Sequence, residues 1–487
     1  MRTFEPILAL LASFAIACGS LRAEKGQGGA HNSGGSLSTT NASGGKVTSG
    51  ADATTADAAR GATDASAGSG LALLGPPMTF APTATSFGLN AVVVGGSPSD
   101  VVAQIRTHGA TMWGADSPPT QPAIDVAQWT ISGLKAGQRY DYRLLSLASG
   151  DTRRVLYQGS VMTQRPAGSE FTFDLVTDSH ISPRDVQPGE TLLADYAEQT
   201  LATVGSNVDG DVPDFIVNLG DMLDFHQFGF NEPPPDGLYT RQAYMNYRRL
   251  LNDSLGHAAH FLVIGNWEGE NGDYTSEEIE RSRSQRLLYA PGPSPDTYPQ
   301  GGSQYQDYYA FTWGDALFVV LNVMTYTPTS HLLDYYPGVA NDWTLGEEQM
   351  AWLEQTLKNA TSKWRFLLIH HAVGGKGGDD TNSAYGRGGG LAAQVGEQAR
   401  VHQLMVDNDV RVFFYGHDHV FTDIVVDNIH YSLPGSAGAP WKFTMAETGY
   451  SDYWSDSGHG RVNVSSDAVE VQFVSLDGSV LYNYSIQ

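Results

Sequence analysis

Seven side chains that suit metal binding recur at the ends of short apolar runs: Asp178, His180, Asp221, Asn266, His370, His417 and His419. Carboxylate and amide oxygens with imidazole nitrogens, and no thiolate, fit a divalent or trivalent cation of hard to intermediate character. Seven donors are too many for one ion. Two ions that share a carboxylate use them all, and Asp221 is the natural bridge.

Such donors need rigid elements behind them. Asp214-Phe-Ile-Val-Asn-Leu-Gly-Asp221 runs through apolar positions to a glycine turn, which reads as a buried parallel strand with its functional side chain at the carboxyl end. The same grammar leads from Phe173 to Asp178 and His180, from Phe261 to Asn266, from Phe366 to His370, and from Val412 to His417 and His419. Five strands therefore end in five sets of candidate ligands. Gly416 is read as the residue that allows the turn aiming His417 and His419 at neighbouring ions.

Taken in order, Asp178-Ser-His180, Gly220-Asp221, Gly265-Asn266, His370 and Gly416-His417-Asp-His419 resemble the five motifs of the calcineurin-like metallophosphoesterases, over residues 168–487. The resemblance implies an α/β (α+β) fold, a mixed β sandwich flanked by helices. It implies a first ion on Asp178, His180, Asp221 and His419, and a second on Asp221, Asn266, His370 and His417. Mn, Fe, Zn and Ca all remain compatible. The implied reaction is hydrolysis of a small phosphate monoester or diester by a hydroxide bridging the two ions, with Asp221 between them.

One catalytic part departs from the pattern. Most of the family has a histidine after the asparagine ligand, where it protonates the leaving group or binds the phosphoryl oxygens; here Trp267 follows Asn266, and an indole has no titratable proton near neutrality. Either another residue such as His371 or His226 supplies the proton, or the leaving group needs little help, or turnover is poor. Trp267, Arg184, Lys376 and Arg387 are the candidate substrate contacts. Lys376 and Arg387 lie in a glycine-rich stretch, 374–390, which reads either as a substrate lid or as a surface insertion. Asp224 stands where purple acid phosphatases place a tyrosine ligand, so neither their charge-transfer colour nor an obligatory ferric ion is expected.

The remainder of the chain sets the context. With 28 basic and 53 acidic residues, a net charge of -25 argues against general attraction to nucleic acid. Residues 1–17 read as a secretory signal. Cys18, the one cysteine, follows Ala15-Ile-Ala17 and resembles a lipobox, which predicts lipid attachment at the cell envelope; the other reading is plain signal cleavage and secretion. Any membrane association is expected through that lipid alone. Residues 18–73, rich in Gly, Ser, Ala and Thr, read as a tether.

Residues 74–167 alternate in short runs and predict an all-β sandwich; Leu134 to Tyr142, with tyrosines at 140 and 142, resembles the tyrosine-corner segment of fibronectin type III domains, and a sandwich ahead of the catalytic part is similar to plant-type purple acid phosphatases. Helices are expected over 189–204, 240–255 and 345–360, with a hairpin turning at Gly314-Asp315. Two functional readings follow: an exported dinuclear phosphoesterase, or a surface binding protein on a catalytically weak scaffold of that kind.

Overall fold

The computed structural model describes residues 70–147, 153–185, 187–189, 193–224, 237–272, 274–327, 343–370, 396–442, 450 and 452–487. The N-terminal strands are β1 (Ala72–Leu73), β2 (Met78–Phe80), β3 (Ser86–Val94), β4 (Val101–Thr107), β5 (Thr120–Ala123), β6 (Val126–Ser132), β7 (Arg139–Ser146) and β8 (Val155–Met162). Strand β1 pairs with the end of β3, so strand structure begins inside the stretch read as a tether. The expected tyrosine corner is present: the Lys135 N–H donates to the Tyr140 hydroxyl at 3.0 Å.

The following strands are β9 (Phe171–Val176), β10 (Phe215–Asn218), β11 (Ala259–Leu262), β12 (Tyr309–Trp313), β13 (Ala316–Val320), β14 (Trp364–Leu368), β15 (Val412–Phe414), β16 (Phe421–Val426), β17 (Ile429–Pro434), β18 (Gly458–Val464), β19 (Val469–Ser475) and β20 (Val480–Ile486). They form a six-stranded sheet in the order β12-β13-β14-β15-β17-β16 and an eleven-stranded sheet in the order β20-β19-β18-β9-β10-β11-β2-β3-β6-β5, with β1 on β3. β4, β7 and β8 make a third sheet. The large sheet crosses from the catalytic half into the N-terminal half, because β2 pairs in parallel with β11 at Phe80 and His260. The two halves therefore share a sheet.

Period-two alternation explains why the strands are apolar throughout. Phe215 and Val217 belong to one core and Ile216 to the other; Phe366 and Leu368 divide from Leu367 likewise, and Phe414 from Phe413. The first core is packed with aromatics, including Phe173 on Phe215 at 5.1 Å and Phe261 on Phe311 at 4.1 Å between ring centroids. The second takes the helices α1 (Tyr196–Asp211), α2 (Gly237–Leu251), α3 (Asp253–His257), α4 (Ser276–Tyr289), α5 (Gly346–Lys358) and α6 (Gly396–Asp407).

Two helix expectations are corrected. α1 starts at Tyr196 rather than 189, because the Asp195 side chain caps it by accepting the Glu198 N–H at 2.9 Å. The helix expected over 240–255 is two helices, broken at Asn252, whose φ of 49° is left-handed. The Gly314-Asp315 hairpin and the α5 helix stand where the pattern placed them.

Candidate metal centre

At the carboxyl ends of β9, β10, β11, β14 and β15 the chain turns back sharply, and the candidate ligands sit in those turns. Asp178, His180, Asp221, His417 and His419 all have φ between 49° and 76°. Left-handed backbone is costly for residues other than glycine, by about 1 kcal/mol or more each, and clusters where surrounding structure imposes it for a purpose. The parallel ladder continues past the strands to hold them: Asp178 N–H donates to Gly220 O at 3.0 Å, and His180 N–H to Asp221 O at 3.0 Å. The His417 N–H lies 3.0 Å from each carboxylate oxygen of Asp178.

Glycines make the close approach possible. Gly220 has a φ of 104°, and a Cβ there would lie 2.6 Å from His370 Nδ1. Gly416 works differently from the sequence expectation: the positive φ angles belong to His417 and His419, while a Cβ at Gly416 would lie 2.1 Å from Thr177 Oγ1. Its role is to let two ligand turns touch.

Two groups of donor atoms result. Ligand atoms of Asp178, His180, Asp221 and His419 lie within 4.8 Å of one another, and so do those of Asp221, His370 and His417; Asp221 belongs to both. Asn266 joins the second group, with Oδ1 3.0 Å from His370 Nε2 and 3.0 Å from His417 Nδ1. All seven residues are buried.

This donor set suits cations. His370 Nδ1 lies 2.8 Å from Leu219 O, which places a proton there and leaves the Nε2 lone pair facing Asn266 Oδ1 and, at 3.1 Å, Asp221 Oδ2. His419 repeats the pattern: Nδ1 lies 3.0 Å from Trp441 O, and Nε2 faces His180 Nε2 at 3.1 Å and Asp178 Oδ1 at 3.4 Å. Acceptors facing acceptors in a buried site repel unless positive charge lies among them. Turning the Asn266 amide over would instead donate its NH2 to these groups and bring Oδ1 2.9 Å from Trp267 Nε1, so the cation reading takes the first orientation.

The titration of the cluster shows the same shortage of positive charge. Burial pushes the Asp178 carboxyl up to about 6, and burial with the neighbouring Asp221 pushes Glu268 up to about 7. Burial alone would lower His370; Asp221 beside it, with Asp178 and Glu268, outweighs that and raises it to about 9, so a proton on Nε2 competes for the lone pair that a cation would take. Among the described residues no arginine or lysine forms a salt bridge with Asp178, Asp221 or Glu268.

Two features escaped sequence reasoning. Glu268 is buried and accepts four backbone N–H groups: Gly265 at 2.6 Å, Met222 at 2.6 Å, Asp221 at 3.1 Å and Leu223 at 3.4 Å. It binds the Asn266 turn to the Asp221 turn, and its place two residues after Asn266 was the available signal. The second is the segment after β17. Ser436 Oγ and the Ala439 N–H both donate to Asp178 O, at 3.1 and 2.9 Å, and a Cβ on Gly438 would lie 1.9 Å from Ser179 O. Nothing in Gly435-Ser-Ala-Gly-Ala-Pro marks it as a clamp.

The other candidates separate. Trp267 stands at the cluster, its ring edge-on to His180 at 4.6 Å, and its backbone N–H donates to Asp221 Oδ1 at 2.8 Å. Arg184 turns to α1 instead, bonding Glu198 Oε1 at 2.6 Å and Asp195 Oδ2 at 3.5 Å. Cys18, His226, His371, Lys376 and Arg387 lie outside the described residues. A cavity of about 660 Å³ at the seam of the two halves holds none of the candidate ligands, and its Arg139 and Arg165 are both paired with Asp214.

Comparison with known proteins agrees with this geometry. A family model described as calcineurin-like phosphoesterase matches residues 171–421. Among solved structures, PhoD superposes with a TM-score of 0.63 at 14% identity, covering 85% of this chain and 90% of that one. The purple acid phosphatase PPD1 from yellow lupin (Lupinus luteus) seeds gives 0.59 at 13%, covering 84% and 74%. At these identities the likeness is one of fold. No curated protein matches in sequence.

Proposed function

Since the chain belongs to the calcineurin-like phosphoesterase family, we propose that it hydrolyses a small phosphate ester with two divalent cations. Asp178, His180, Asp221 and His419 would hold one cation, and Asp221, Asn266, His370 and His417 the other. The observation that carries this reading is the membership of Asp221 in both donor groups. Bound there, the cations supply Lewis acidity toward a phosphate oxygen and toward water.

The protein's own part is to hold the donors in place. The Leu219 and Trp441 carbonyls fix which nitrogen of His370 and His419 carries the proton, and so which faces inward. Glu268 fixes the turns that present Asp221 and Asn266. Trp267 lies against His180 and brings no titratable proton, which favours substrates whose leaving oxygen departs without one, unless His226 or His371 supplies it.

We assign the catalytic domain to residues 168–487 and the N-terminal sandwich to 74–167. Residues 1–17 are the proposed export signal and Cys18 the proposed lipid site; among the described residues no helix is long and apolar enough to cross a membrane.

The test is an assay of purified protein on an aryl phosphate monoester and an aryl phosphodiester, with Mn, Fe, Zn and Ca supplied separately. Turnover with at least one metal is expected. Its absence with all four leaves the alternative, a surface binding protein on this scaffold, which Trp267 at the family's proton-donor position favours.

A further inference from the structure

We propose that Trp441 and Trp267 form an indole ledge that binds a planar aromatic ring on the leaving group of the substrate. The inference rests on the phosphoesterase reading for the position of the phosphate. Trp441 lies 4.9 Å from the His180 ring and 5.2 Å from the His419 ring, centroid to centroid, and 5.8 Å from Trp267 at 37°. Trp267 stands edge-on to His180. The two indoles are therefore neighbours, tilted by 37° to one another, and both lie against the donor group of Asp178, His180, Asp221 and His419.

Trp441 is 38% exposed beside a cluster that is otherwise buried. An indole serving only as core filling would have its area covered by the protein, and this residue stays partly exposed at the edge of the cluster. Its position is also fixed. Its carbonyl anchors His419 Nδ1, and the residues just before it are bonded to the Asp178 turn through Ser436, Ala437 and Ala439. A surface held by the bonds that position candidate ligands is preorganised and loses little entropy when a ring stacks on it.

Charge and chemistry agree. The next residue, Lys442, has its ammonium held by Ser457 Oγ at 2.9 Å and by Ala439 O at 3.4 Å, which keeps a cation beside the ledge for an anionic ester. An aryl oxygen is acidic enough to leave without the proton that Trp267 lacks. One residue thus removes the acid and supplies the stacking face.

The experiment uses phenylphosphonate and ethylphosphonate, which bear the same anionic group and a P–C bond that is not hydrolysed. Binding to the full chain loaded with Mn(II) is read by tryptophan emission and by competition with metal-dependent turnover. Phenylphosphonate is expected to bind about tenfold tighter, as stacking of a ring on an aromatic side chain provides. Trp441→Leu should reduce that ratio to about twofold, and Trp441→Phe should keep most of it. Equal affinities in the unaltered protein, or a Trp441→Leu variant that weakens both ligands alike, overturn the ledge. Hydrolysis of aryl esters with equal phosphonate affinities sinks this inference alone. Selective, Trp441-dependent binding of phenylphosphonate without hydrolysis of any ester sinks the activity and supports the ledge.

Discussion

The Asp221 N–H donates to Glu268 Oε2 at 3.1 Å, so a buried carboxylate from the next strand turn holds the central residue of the cluster in its left-handed conformation. The same carboxylate takes the N–H groups of Gly265 and Met222. In Glu268→Gln one oxygen becomes an NH2 that faces N–H donors, and the turns lose part of their anchor. Metal affinity and kcat/KM are expected to fall 10- to 100-fold, as for other groups that orient metal ligands. Elemental analysis after dialysis, with kinetics at saturating metal, checks this; retention of both would mean that the turn is held by other contacts.

Gly220→Ala tests the geometry of the turn. The new methyl meets His370 Nδ1 at 2.6 Å and the Gly265 backbone at 2.9 Å, at a φ of 104° that alanine resists. Neither neighbour is a flexible chain end, so a loss of roughly 1–3 kcal/mol is expected in denaturant unfolding, along with lowered metal content. Gly109, with φ 78° and nothing within 4 Å, isolates the backbone cost when changed to alanine, and the difference between the two is the crowding.

The fold was legible because a strand buried on both faces must be apolar along its length, and Phe215 to Leu219 or Phe366 to Ile369 have no other economical place. The convergence of the candidate ligands was legible for a related reason: Asp221 and His370 follow such runs directly, where the strand emerges. Glu268, Ser436 and Trp441 were not, since their contacts run through backbone groups and ring faces of distant segments. A carboxylate that bonds main-chain N–H groups leaves no pattern in the residues that it holds. The shared sheet was hidden as well, because its joint is one register pair between Phe80 and His260.

Trp267→His restores a titratable group next to Asn266. If proton delivery limits hydrolysis of monoesters, that variant raises monoesterase relative to diesterase activity, with about 10²-fold as the scale for a well-placed acid. Paired rates on an aryl monoester and an aryl diester measure the ratio. A constant ratio would show that this position does not limit the reaction.

Burial, helped by Arg248, holds His260 down at about 3, and its Nε2 lies 3.3 Å from the Tyr247 hydroxyl. An unfolded histidine titrates near 6.5, so between those values the unfolded chain binds the extra proton and stability falls as pH drops. The contribution is complete above about 6.5 and is lost progressively toward 3, up to roughly 5 kcal/mol. Urea midpoints at pH 7, 5 and 4 should decline less steeply in His260→Gln than in the unaltered chain. Parallel declines would assign the acid limb to other groups.

Because β2 is stitched to the flank of β11, the N-terminal sandwich is no detachable appendage. Severing the chain near residue 168 would strip the outer neighbour from the strand that leads to Asn266 and leave its backbone donors and acceptors open to pairing with other molecules. The enzyme's heritable unit is thus the whole of this sheet, and an evolutionary swap of the front half would have to carry a matching edge with it.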